Sequence, residues 1–139
     1  MKYLNLALVC LLFSCSQDKP DSKKTEADFI NTAKQFHDLY ITAGDCAQRN
    51  AMVDKGILFY ENGNQFTYQN ILDYCAYIKP KNTFNVYSEQ YLIQPTVGFD
   101  YTDQYYLNSK QDTVRETTSR IWQLKSNNWV VTHMQVVRQ

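Results

Sequence analysis

Histidine is scarce in this 139-residue chain, which holds two, His37 and His133. Neither sits with cysteines or carboxylates at ligand spacing, so no metal site is expected, and nothing in the sequence calls for a cofactor. An excess of positive charge is also missing: 14 Lys and Arg stand against 14 Asp and Glu, which leaves no electrostatic footprint for nucleic acid. Long hydrophobic runs are absent as well. The longest, Tyr3 to Phe13, is about half of the roughly 20 residues that a permanent membrane-spanning helix needs. Cys46 and Cys75 have no adjacent base, which argues against a nucleophilic role, and no internal repeat is visible.

The first residues follow a different logic. Met1 and Lys2 form a short basic start, Tyr3 to Phe13 is apolar apart from Asn5, and Ser14 places a small residue before Cys15. That is the anatomy of a signal peptide. Leu12-Phe13-Ser14-Cys15 resembles the lipobox of bacterial lipoproteins, and the resemblance implies a signal peptide over 1–14, with Cys15 lipidated and anchored in a membrane through its acyl chains. Residues 15–24 then comprise the lipidated cysteine and a polar tether, Ser16 to Lys24, with nothing to bury. Ser16, in place of Asp, resembles the outer-membrane-sorted class, so the expected location is the cell envelope, at the outer membrane. Losing Lys2 with the leader takes the 14 basic residues to 13 against 14 acidic ones, a formal charge of −1.

Residues 25–139 suit one domain whose single core buries roughly two thirds of its surface. With Cys10 removed and Cys15 lipidated, Cys46 and Cys75 are the remaining thiols. An exported domain can bridge them, or each can pack as a small apolar group.

Periodicity orders the elements. Thr25 reads as an N-cap, and Phe29, Ile30, Ala33, Phe36, Leu39 and Tyr40 recur at helical spacing until Gly44. Asp45 can cap a short second helix to about Ala51, with Gln48 completing the box. Ile57 to Glu61 reads as a strand before the Asn62-Gly63 turn. Thr67 can cap a third helix, in which Ile71, Leu72, Cys75 and Ile78 share a face, Phe66 staples onto Ile71 and Pro80 ends the run. Beyond Lys81 the chain alternates as strands over 83–93, 97–107, 113–125 and 129–138, the last two joined as a hairpin around Ser126-Asn127-Asn128. Helices first and a meander afterwards indicate an α+β fold with the helices on one face of a curved antiparallel sheet.

Ser119-Arg120-Ile121-Trp122, followed by Trp129-Val130-Val131-Thr132-His133-Met134-Gln135, resembles the closing hairpin of the nuclear-transport-factor-2-like (NTF2-like) superfamily, and especially of its SnoaL-like small-domain branch. The likeness covers about residues 27 to 138. It implies a cone: a strongly curved antiparallel sheet wrapped around the long N-terminal helix, with two further helices and a pocket at the wide end. The superfamily hosts enzymes and non-catalytic binding modules alike, so the fold does not name a function.

A two-residue hairpin turn places Thr118, Arg120, Trp122, Leu124, Trp129, Val131, His133 and Gln135 on one face, and Ile121, Met134 and Val136 on the other. The first face mixes apolar and polar groups as a ligand pocket does. The expected pocket residues are Tyr40, Tyr60, Arg120, Trp122, Trp129, His133 and Gln135. The alternative is that both tryptophans are ordinary core. Relatives commonly dimerise through the convex face, which implies a homodimer there through Ile121 and Met134. The isomerases of the superfamily use a pocket carboxylate with a tyrosine or a protonated acid. Tyr101, Tyr105 and Asp103 supply such groups here, but no position matches that pattern, and His133 as general base lacks a visible orienting carboxylate. The favoured expectation is therefore a lipid-anchored, non-catalytic module that binds a small apolar or amphipathic ligand or a protein partner. The alternative is a SnoaL-like enzyme doing proton-transfer or hydrolytic chemistry.

Overall fold

A computed structural model describes residues 22–75, 82–108 and 110–139. The expected signal peptide, Cys15 and the expected tether up to residue 21 lie outside the described residues, as do Ile78 and Pro80 of the third helical run. The elements in order are α1 (Ser22–Ile41), α2 (Cys46–Ala51), β1 (Val53–Glu61), β2 (Asn64–Phe66), α3 (Tyr68–Cys75), β3 (Asn82–Ile93), β4 (Val97–Leu107), β5 (Thr113–Lys125) and β6 (Asn128–Arg138).

Local chemistry accounts for most of these boundaries. The Asp45 side chain accepts from the backbone of Ala47 and Gln48 and so starts α2. Thr67 and Asn70 cap α3 reciprocally: the Asn70 N–H donates to Thr67 Oγ1 at 3.3 Å, and the Thr67 N–H donates to Asn70 Oδ1 at 2.9 Å. This is a capping box with Asn in the place of Glu or Gln. Helix α1 differs from expectation by starting at Ser22, so Thr25 lies inside it. Lys23, Lys24 and Glu26 are good helix formers, so the stretch expected to end as a polar tether at Lys24 is helical from Ser22.

The six strands form one curved sheet in the order β2-β1-β6-β5-β4-β3. Neighbours are antiparallel except β1 and β6, which run parallel from Leu58 opposite His133 to Glu61 opposite Val136. The sheet wraps α1 into a cone. Phe29, Ala33 and Phe36 of α1 are buried against Trp122, Trp129 and Val131, with the Phe29 ring 5.0 Å from Trp129 and 6.1 Å from Trp122. Gly98 makes this contact possible, because a Cβ there would stand 2.4 Å from Phe29 Cε2.

The closing hairpin turns on Ser126 and Asn127, both with positive φ, the backbone of a two-residue type I′ turn. Leu124 then pairs with Trp129 and Trp122 with Val131. Past that point the register shifts: Ile121 pairs with His133, Arg120 with Met134 and Thr118 with Val136. Thr132 is the extra residue of a β-bulge, and one extra residue inverts every later side chain. The face expected from strict alternation is therefore corrected. Met134 and Val136 turn inward, whereas His133 and Gln135 turn to the convex side.

Candidate functional site: a cavity under the second and third helices

The sheet and helices enclose a cavity of about 530 Å³ of empty space, its open mouth included. The C-terminal half of α1 contributes Phe36, His37 and Tyr40, α2 contributes Arg49, and α3 contributes Ile71 and Tyr74. From the sheet come Phe59 and Glu61 of β1, Thr118 and Arg120 of β5, and Met134, Val136 and Arg138 of β6. Helical spacing aligns Phe36 with Tyr40 on α1, and two-residue alternation aligns Thr118 with Arg120 on β5.

Of the seven residues expected to form a pocket, Tyr40 and Arg120 line this cavity. Trp122 and Trp129 are fully packed core beside Phe29. Tyr60 alternates with inward Phe59, pairs with Gln135 and sets its ring 5.8 Å from that of His133, so Tyr60, His133 and Gln135 gather on the convex face. The bulge at Thr132 is the physical reason for the two β6 residues.

Two buried ionic clusters meet the cavity. In the first, Asp100 on β4 faces Arg120 on β5 as a direct cross-strand neighbour. Its carboxylate accepts from Arg120 Nε at 2.9 Å and Nη2 at 2.5 Å, and also from Trp122 Nε1. The Arg120 guanidinium lies 5.2 Å over the Phe36 ring, a cation–π arrangement favoured out of water. The carboxylate thus neutralises the guanidinium and satisfies the indole N–H in one place.

The second cluster centres on Glu116, whose side chain is 0% exposed. It accepts from Arg138 Nε at 2.6 Å, Gln104 Nε2 at 2.7 Å and the Tyr40 hydroxyl at 3.2 Å. Arg138 Nη2 donates to the Tyr40 oxygen at 2.8 Å, and Nη1 pairs with Glu61. Burial, reinforced by the Glu116 charge, pushes the Tyr40 phenol well above its ordinary value, so the hydroxyl keeps its proton. Burial alone would lower Arg138, but Tyr40, Glu116 and Glu61 outweigh it and raise its pKa. Glu116 was legible in principle, since it shares parity on β5 with Arg120. Arg138 and Glu61 were hidden by the bulge and by the parallel pairing of β1.

Cys46 and Cys75 are joined by a disulfide, with Cα atoms 5.8 Å apart. It ties the start of α2 to the end of α3, the two helices that carry Arg49, Ile71 and Tyr74. Asp103, a candidate acid by its residue type, lies on the opposite face of β4 from Asp100. Arg115 holds it at 3.0 and 2.6 Å, and that hydrogen bonding keeps its carboxyl below the usual range. Among the described residues no group of three or more His, Cys, Asp or Glu is placed to hold a metal ion, and no helix is long and apolar enough to cross a membrane.

No protein-family model matches the sequence, and no curated protein sequence does. Solved structures do match. An NTF2-like protein of unknown function from Pseudomonas putida superposes with a TM-score of 0.68 at 11% identity, over 84% of this chain and 87% of that one. A ketosteroid isomerase-like protein of Shewanella frigidimarina gives 0.65 at 20% identity, over 76% and 91%. The association domain of C. elegans CaMKII gives 0.65 at 16% identity, over 82% and 95%. Identities this low speak to architecture alone, and the architecture of the described residues is the NTF2-like fold.

Proposed function

We propose that this chain is a lipid-anchored envelope protein whose NTF2-like domain binds a small apolar or amphipathic molecule in its cavity without transforming it. The observation that carries binding over turnover is the state of the carboxylates. Asp100, Glu116 and Glu61 all accept from arginines, so each is committed to neutralising a cation instead of taking a proton from a substrate. The anchor and the outer-membrane destination rest on the lipobox-like Leu12 to Cys15 and on Ser16. The SnoaL-like branch rests on the paired Trp122 and Trp129 of the closing hairpin.

Native mass spectrometry of protein purified from the envelope tests the whole reading. The expected result is a mass that includes a diacylglyceryl group on Cys15, together with a retained small molecule released on unfolding. Cys15→Ala should leave the domain folded but shift it from the detergent phase to the aqueous phase. Persistence of the variant in membranes would refute the anchor.

The convex face supports a homodimer. Leu58 and Ile121 are exposed there, at 47% and 39%, beside Tyr60 and His133. Ile121→Glu should then sediment as a monomer, and a monomeric wild type would end that proposal.

A further inference from the structure

Among the described residues, Arg49 is the one cation of the cavity wall that forms no ion pair with a carboxylate. Arg120 has Asp100, and Arg138 has Glu61 and Glu116. Arg49 is 4% exposed and lines the cavity. Only its Nη2 finds acceptors, Asn50 Oδ1 and the Ile71 carbonyl, both at 3.5 Å. That distance is beyond the range of a good N–H···O bond. A guanidinium does not escape by losing its proton, and a largely buried cation without an anion or a full set of acceptors is costly. Nothing in the described chain meets that demand, whereas the open space beside Arg49 can.

The rest of the wall limits what can enter. Phe36, Phe59, Ile71, Met134 and Val136 offer hydrocarbon. Arg138 offers no second cationic position, because its Nε, Nη1 and Nη2 are committed to Glu116, Glu61 and Tyr40. Glu61, also on the wall, would repel a second negative group. Burial holds the Arg49 pKa below its ordinary value, in the direction expected of a cation waiting for a counter-charge.

We infer that the cavity takes a small monocarboxylate with an apolar body, its carboxylate paired with the Arg49 guanidinium and its hydrocarbon lying against Phe36, Phe59 and Met134. This rests on the binding reading above and specifies its ligand class. The fork of the guanidinium suits a carboxylate in two-point contact. The Cys46–Cys75 bridge fixes α2 against α3 and so holds the Arg49 backbone in place.

Calorimetric titration of the detergent-solubilised full chain with hexanoate, its neutral isostere hexanamide, the dicarboxylate adipate and hexan-1-ol tests this. Hexanoate should bind, with hexanamide and adipate each weaker by about tenfold or more, the scale of a lost charged hydrogen-bond pair. Arg49→Gln should lose the preference for hexanoate over hexanamide, while Arg49→Lys should keep part of it. Equal binding of hexanoate and hexanamide by the wild type would overturn the carboxylate assignment and leave the binding reading intact. So would an Arg49→Gln protein that still prefers hexanoate. If none of the four probes binds, the cavity is not a small-molecule site and both readings fall. Should Arg49→Gln not fold, the wild-type contrast between hexanoate and hexanamide decides alone.

Discussion

The two halves of helix α1 face opposite solutions to the same problem of what to put inside a cone. Toward its start, Phe29 and Ala33 meet Trp122, Trp129 and Val131 in a close-packed aromatic plug. Toward its end, Phe36, His37 and Tyr40 look into a hollow bordered by arginines and carboxylates. One end derives its stability from filled volume, the other from paired charge and a covalent tie between α2 and α3. The difference separates the part of the cone that is filled from the part that is left open. A plug tolerates no missing atoms, and a hollow is defined by them.

The sharpest way to break this comparison is to truncate one residue at each end. Trp122→Ala should cost about 3 to 5 kcal/mol in urea unfolding, since the surrounding rings cannot collapse into the space. Met134→Ala, at a wall that already faces a void, should cost only about 1 to 2 kcal/mol. Equal losses would mean that the hollow is as tightly determined as the plug.

Next in size is the covalent tie. The double variant Cys46→Ala and Cys75→Ala should lower stability by about 2 to 4 kcal/mol in the chain-entropy account of a closed loop. Hydrogen exchange should quicken in α2 and α3 and leave the strands around Trp122 and Trp129 protected. Uniform quickening would erase the proposed division between the two ends.

The smallest effect concerns acid. Asp54 Oδ2 accepts from Lys125 Nζ at 2.5 Å, near the turn that closes the plugged end. That hydrogen bond, with help from the Gly56 N–H, holds the Asp54 carboxyl below its ordinary value. A depressed folded-state pKa contributes stability that is complete above the unfolded value of about 4 and is lost as pH falls through the lower folded value. The pair is partly exposed, so no more than about 1 kcal/mol is at stake. Asp54→Asn should remove that part of the decline in urea midpoint below about pH 4, and an unchanged profile would show that the pair contributes nothing.

How far these two ends could be read in the sequence follows from the range of the interactions involved. Helix starts at Asp45 and Thr67, the strand limits of β4 and β5 and the two-residue hairpin turn are local matters of capping, alternation and turn chemistry, and they were legible. The plug was half legible: Phe29, Ala33 and Phe36 repeat at helical spacing, but the tryptophans opposite them read equally well as pocket or core. The hollow was mostly illegible. Its membership depends on the parallel docking of β1 beside β6, which brings in Phe59 and Glu61, and on a bulge that no local signal marks. Arg49 stood on a short helix whose burial is decided by the tertiary position of α3.

That bulge at Thr132 makes the last strand behave like a text read in two frames. In the present frame the ladder skips Thr132 and Met134 and Val136 face the hollow; were Thr132 taken into the ladder opposite Ile121, His133 and Gln135 would take their places and give it an imidazole and an amide. Loss of Thr132 would keep the present frame, because Trp122 already pairs with Val131 and Ile121 with His133, whereas a slip that absorbs it would reverse that frame and leave the order of strands untouched. The lining of the chamber is thus decided by whether one threonine is left out of the ladder or taken into it.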